Sequence, residues 1–332
     1  MAQHADIAVC AHVACWAILR HYSERFPPHR EFLVHDVTRL ATPFDPGGLT
    51  PSFGLDILQA ERIFQVAGCF PVVVRKKTDL ALEFYSQLLA YLESGFPLFV
   101  AMKKRQHAIV VAGYAWEFRP ASQPSSNPHV WSQVGSLLAI DDNSLPYVNV
   151  DTEQSDSSNG RAYTAQDFDA FIVPLPEKIF YPADAIEGLS KSLSVLLQKA
   201  FGIPDGDKLF RRYFVTTISA LRNYARGHRS ELGEVLTGLL MRLDTAQFIW
   251  VVEYASETQW TQRHVTARAI IDASASPRDP LPIWLLHDGE SALVFDRTSV
   301  GADSQHGLVK LKRPEGTPLG RMEQNLRPIN KN

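Results

Sequence analysis

Val9-Cys10-Ala11-His12-Val13-Ala14-Cys15-Trp16-Ala17-Ile18-Leu19-Arg20 is the stretch on which the reading of this chain turns. Val13, Trp16, Ala17 and Leu19 recur at helical spacing, and Pro27-Pro28 stops the run. An amphipathic helix from Val9 to Tyr22, opening at Cys10, is therefore expected. Backbone N–H groups at a helix start lack intrahelical acceptors, and their field favours a thiolate. A thiol taken alone is more often inert core than a nucleophile. Its position at the helix start is what singles out Cys10. Cys15 lies deeper in the helix beside Trp16 and reads as core.

A thiol that attacks an acyl carbon needs a base, and the base needs an orienting group. His107-Ala108-Ile109-Val110-Val111-Ala112-Gly113-Tyr114 reads as a buried strand with an imidazole at its mouth. Ser136 to Ile140 reads as the next strand and runs into Asp141-Asp142-Asn143. Asp and Asn favour turns, so a plain turn accounts for that trio. The functional reading is that Asp141 accepts the Nδ1–H of His107 and sets its tautomer. Asn143 is the alternative orienting group.

Around these segments the chain alternates. A short helix is expected at Asp36–Leu40, a Pro/Gly loop at Pro43–Gly48, and a second helix entered at Leu49–Ser52 and ending near Ala67. Strands follow at Phe70–Arg75, Pro97–Met102 and Phe168–Val173, with a helix at Asp79–Ser94. Pro120–Pro128 and Asp151–Gly160 are polar loops. Pro174, Pro176 and Pro182 mark a boundary, giving domains 1–178 and 179–332. In the second domain, helices are expected at Ala185–Phe201 and Phe214–Met241, the latter broken near Gly227-His228. Strands are expected at Phe248–Tyr254, His264–Ala273, Ile283–His287 and Ala292–Phe295, with Asp288-Gly289 as a hairpin turn. The last two dozen residues read as a loosely held tail.

Composition narrows the function classes. The 332 residues are 45% hydrophobic and 21% charged, ordinary for globular domains. A net charge of −3 argues against nucleic acid as a partner. Arg75-Lys76-Lys77 and Lys103-Lys104-Arg105 read as solvated faces or strand edges. No apolar stretch is long enough to span a membrane. Three cysteines form no disulfide framework, and none sits in zinc-ligand spacing. The polar start Met1-Ala2-Gln3-His4-Ala5-Asp6 does not read as a secretory signal. A reducing cytoplasm is the expected setting.

The Cys10–Tyr22 segment, ending Leu19-Arg20-His21-Tyr22, resembles the nucleophile helix of papain-like cysteine peptidases. It is most similar to the bacterial bacteriocin-processing (double-glycine leader) peptidase branch. Gly95-Phe96-Pro97-Leu98-Phe99-Val100 resembles the strand that precedes the catalytic His strand of that family, and His107–Tyr114 and Asp141 match its His strand and acid. The resemblance covers residues 3 to 178. It implies an α+β papain-like fold and a Cys10-His107-Asp141 triad, with Gln3 and the Cys10 backbone N–H facing the oxyanion. Ala11 stands where the family usually has Gly, and Gln3 lies one residue further from the Cys than usual.

The expected activity is thiol acyl transfer on a peptide or protein substrate, by peptide or isopeptide hydrolysis, with no metal or organic cofactor. The C-terminal domain, an α/β unit of helices followed by antiparallel strands, is expected to select substrate or dock a protein partner. Alternatives are transamidation on the same scaffold, an inactive papain-like binding module, and Cys15 as the nucleophile.

Overall fold

A computed structural model describes residues 9–41, 55–77, 81–117, 129–144, 146–153, 163–176, 179–203, 209–279, 281–295, 306–314 and 316–322. Gln3, the Pro43–Gly48 loop, the Leu49–Ser52 helix entry, the Pro120–Pro128 loop and most of the Asp151–Gly160 loop lie outside the described residues. The architecture is α+β with antiparallel sheets, and the chain separates into two compact units. The first comprises residues up to 117 together with 133–178, and the second comprises 118–132 and 179–327. Residues 129–132, on the first-domain side of the sequence boundary, thus group with the second unit.

In the first unit, α1 (Cys10–Arg25) ends where Phe26 N–H bonds the Tyr22 carbonyl, and Pro27 then blocks further helix. Helix α2 (Val34–Ala41) follows. Helix α3 (Ile57–Val66) starts with a reciprocal cap, in which Gln59 N–H bonds Asp56 Oδ1 and Asp56 N–H bonds Gln59 Oε1, both at 2.8 Å. The remaining elements are β1 (Phe70–Arg75), α4 (Ala81–Glu93), β2 (Leu98–Met102), β3 (His107–Trp116), β4 (Val134–Ile140), β5 (Val148–Asp151) and β6 (Ala170–Leu175). The sheet order is β1-β6-β2-β3-β4-β5. Fully buried Cys15, Ile18, Ile63 and Phe64 form a core with Phe99, Val110 and Ile172 of the sheet. Burial of each such large side chain contributes about 1.5–3 kcal/mol, which sets α1 against the sheet.

In the second unit, α5 (Ala183–Phe201) leads into β7 (Phe210–Thr217), α6 (Ile218–Gly227) and α7 (Arg229–Arg242). Strand β8 (Phe248–Ala255), α8 (Glu257–Thr261), β9 (His264–Val265) and β10 (Ala267–Asp272) come next. Strands β11 (Ile283–His287), β12 (Ser291–Phe295), β13 (His306–Lys310) and β14 (Leu319–Gly320) complete the unit. The main sheet runs β13-β12-β11-β10-β8-β7, antiparallel throughout. An α/β unit of helices followed by strands is therefore corrected to α+β with a strand between α5 and α6. Residues 214–217, expected at the start of a long helix, close β7 instead. Seven of the eight positions of β7 are buried, so it has no one-sided alternation to read, and two arginines interrupt its apolar run. The expected break near Gly227 is present.

The tail also differs from expectation. Glu253 on β8 accepts Met322 N–H at 2.8 Å, Arg212 donates to the Met322 carbonyl at 2.7 Å, and Arg268 donates to the Gly320 carbonyl at 2.8 Å. Residues 319–322 are thus fastened into the second unit by buried charge. Among the described residues, no helix is long and apolar enough to cross a membrane.

Candidate functional site

Helix α1 delivers Cys10 at its first residue. Val9, its cap, makes no side-chain bond, and the first intrahelical bond runs from Val13 N–H to the Val9 carbonyl. The N–H groups of Cys10, Ala11 and His12 therefore have no acceptor within the helix. Cys10 is buried, at 5% exposure.

His107 opens β3 immediately after a tight turn, Lys103–Arg105, closed by Gln106 in the left-handed region at φ 49°. Met102 pairs with His107 on one side, and on the other Val110 pairs with Ile140. The chain leaving β4 therefore brings Asp141 beside the start of β3. The His107 and Asp141 side chains are 12% and 4% exposed.

The three side chains converge, and two of them are hydrogen-bonded to each other. His107 Nε2–H donates to Asp141 Oδ1 at 3.0 Å, and the Cys10 sulfur lies close enough to the imidazole to act on its charge. The nitrogen facing Asp141 is Nε2, which corrects the Nδ1 expected from sequence.

The electrostatics follow from this chain of contacts. Burial disfavours the charged ring, but the hydrogen-bonded Asp141 carboxylate and the neighbouring Cys10 sulfur outweigh it, and His107 is pushed up to about 10. Burial likewise opposes the Asp141 carboxylate. Donors from His107, Tyr163 and the Asn143 backbone overcome that and bring it down to about 2. Asn143 contributes its backbone N–H at 3.0 Å to Asp141 Oδ1 and so supports the acid. Cys15 is fully buried, and burial pushes its thiol upward. Cys69, also buried, is pushed up to about 12 for the same reason.

Sequence reasoning missed Tyr163. Its hydroxyl donates to Asp141 Oδ2 at 2.5 Å, and its ring centroid lies 6.0 Å from that of His107. No local pattern marks it, since it follows a polar loop and is distant in sequence from both partners. Gln3 lies outside the described residues.

One donor atom from each of His107, Asp141 and Asp142 lies within 4.8 Å of the others, close enough for a shared cation. His107 Nε2 and both Asp141 oxygens are already engaged in hydrogen bonds. A cation would have to displace those bonds, so the trio fits a proton-handling arrangement better than a ligand set. Compared with protein-family models, with curated proteins and with solved structures, the chain matches none.

Proposed function

We propose that the first unit is a thiol acyl-transfer enzyme with a papain-like fold, most simply a cysteine peptidase acting on peptide or isopeptide bonds. The observation that carries this reading is the hydrogen-bonded His107–Asp141 pair beside Cys10, which stands at the start of a helix packed on an antiparallel sheet. It is the arrangement that nucleophilic catalysis by a thiol requires.

In this scheme His107 takes the Cys10 thiol proton as the reaction begins. Sulfur attacks the acyl carbon, and the carbonyl oxygen becomes an oxyanion held by the Cys10 backbone N–H and by Gln3. His107 returns its proton to the departing amine, leaving an acyl-thioester. A water then gives its proton to His107 as it attacks the thioester, releasing the acid and the thiolate. Asp141 keeps the Nε2–H of the ring aligned throughout. The three cysteines are free, which suits a reducing compartment such as the cytoplasm.

The test is alkylation by iodoacetamide, read by peptide mass spectrometry, on the intact chain and on Cys10→Ala, Cys15→Ala and His107→Ala. We expect labelling at Cys10, unchanged by Cys15→Ala and slowed at least tenfold by His107→Ala. Labelling that persists in Cys10→Ala and vanishes in Cys15→Ala would transfer the role to Cys15. Unreactive Cys10 with other thiols labelled would leave an inactive binding module. A peptide library, with and without an added primary amine, then separates hydrolysis from transamidation.

A further inference from the structure

Tyr163 completes the bonding of Asp141. Oδ1 accepts from His107 Nε2–H and from the Asn143 backbone, and Oδ2 accepts from the Tyr163 hydroxyl. A carboxylate held at only one oxygen can swing about its terminal torsion and exchange its oxygens. Held at both, it presents one fixed oxygen to the ring. A phenol suits the second bond because it stays protonated at neutral pH, so it donates without competing for the catalytic proton.

The backbone that follows Tyr163 is anchored for this purpose. Thr164 N–H bonds the Asp167 carboxylate at 3.0 Å, and Gln166 N–H bonds the Thr164 hydroxyl at 3.2 Å. The Tyr85 hydroxyl donates to the Ala165 carbonyl at 3.0 Å, Lys76 Nζ donates to the Gln166 carbonyl at 2.6 Å, and Gln166 Nε2 donates to the Thr152 carbonyl at 3.1 Å. An otherwise irregular segment is thus tied to α4, β1 and the end of β5, and it holds the phenol at a set distance from the acid.

We propose that Tyr163 is a positioning residue of this site, pinning the second oxygen of Asp141 so that the first keeps the His107 ring in line with the Cys10 sulfur. The inference rests on the thiol reading above. Tyr163 acts through Asp141 and is not itself in contact with the reacting atoms.

The experiment measures the iodoacetamide rate at Cys10 against pH in the full chain, for wild type, Tyr163→Phe, Asp141→Asn and the double variant. Tyr163→Phe keeps the ring and removes only the hydroxyl. Asp141 then loses one of the donors that keep it ionised, so its protonation comes at higher pH. We expect the acid limb to rise by about one pH unit and the neutral-pH rate to fall about fivefold, the loss of one hydrogen bond to a charge. In the Asp141→Asn background the Tyr163 substitution should add nothing. If Tyr163→Phe melts early, 3-fluorotyrosine at position 163 preserves the shape and is a stronger donor, and the limb should move down. A His107-dependent wild-type profile left unmoved by Tyr163→Phe overturns the role of Tyr163 alone. Wild-type alkylation indifferent to His107 overturns the thiol reading, and this inference with it.

Discussion

His107 Nε2 lies 3.0 Å from Asp141 Oδ1, joining the first residue of β3 to the first residue beyond β4. The bond has two effects. It fixes the ring plane, and it stabilises the charged imidazolium inside a largely buried setting. Both depend on the antiparallel register of two neighbouring strands.

Asp141→Asn separates these effects. An amide can still hold the ring but carries no charge, so His107 should release its proton at a pH well below its present value of about 10. The alkaline limb of the Cys10 alkylation profile should move downward, and turnover on any cleaved peptide should fall about 10²- to 10⁴-fold. An alkaline limb that stays in place would mean the carboxylate does not set the state of the ring.

The second unit should weaken in acid. Burial keeps His129 and His287 neutral and brings them down to about 4 and about 3. The unfolded chain takes up these protons near pH 6.5, and the folded one refuses them. Their contribution is therefore whole above about pH 6.5 and is lost as pH falls toward 4. His107 has the opposite sign: its contribution is whole below about pH 6.5 and is lost as pH rises through about 10. Thermal melting across pH should show a decline on both sides of a maximum near pH 6.5. His129→Gln should flatten the acid side, and an acid side equally steep in that variant would remove His129 from the account.

Glu253→Ala should cost about 3–5 kcal/mol in urea unfolding, because it leaves buried charges without their partner. Glu253 receives Arg212 at 2.8 Å and Arg268 at 2.8 and 3.1 Å, and all three side chains are nearly inaccessible. The loss should also free residues 319–322 for proteolysis, since Met322 N–H bonds the same carboxylate. A loss under about 1 kcal/mol would show that the network contributes little.

Gly233→Ala should destabilise the α7 region by about 1–3 kcal/mol. Gly233 sits at φ 74° in a break within α7, and an added Cβ would lie 2.4 Å from the Lys312 carbonyl oxygen. Both the backbone strain and that collision oppose a side chain. Gly227→Ala, with open space around it, is the control and should change the melting temperature little.

Much of the first unit was legible because its signals are local. The 3.6-residue spacing in α1 and the apolar run of β3 each follow from neighbours in sequence. So did the position of Cys10 at the helix start and of Asp141 just past a strand. Strand β7 was misread because it is buried on both faces and carries Arg211 and Arg212, whose charges are answered by Glu187 and Glu253 from other elements. The tail was misread for a related reason, since backbone groups of Gly320 and Met322 are bound to charged partners far away in sequence. Tyr163 left no local trace at all.

The sequence by itself determined most element types of the first unit and its α+β class, and it singled out candidate residues, because periodicity, capping and turn preference operate over a few neighbouring positions. Tertiary structure decided which nitrogen of His107 meets Asp141, that a tyrosine closes the other side of that carboxylate, and which buried charges are paired. Those outcomes depend on strand register and on contacts between distant segments, which are set only when the sheet assembles and excludes water.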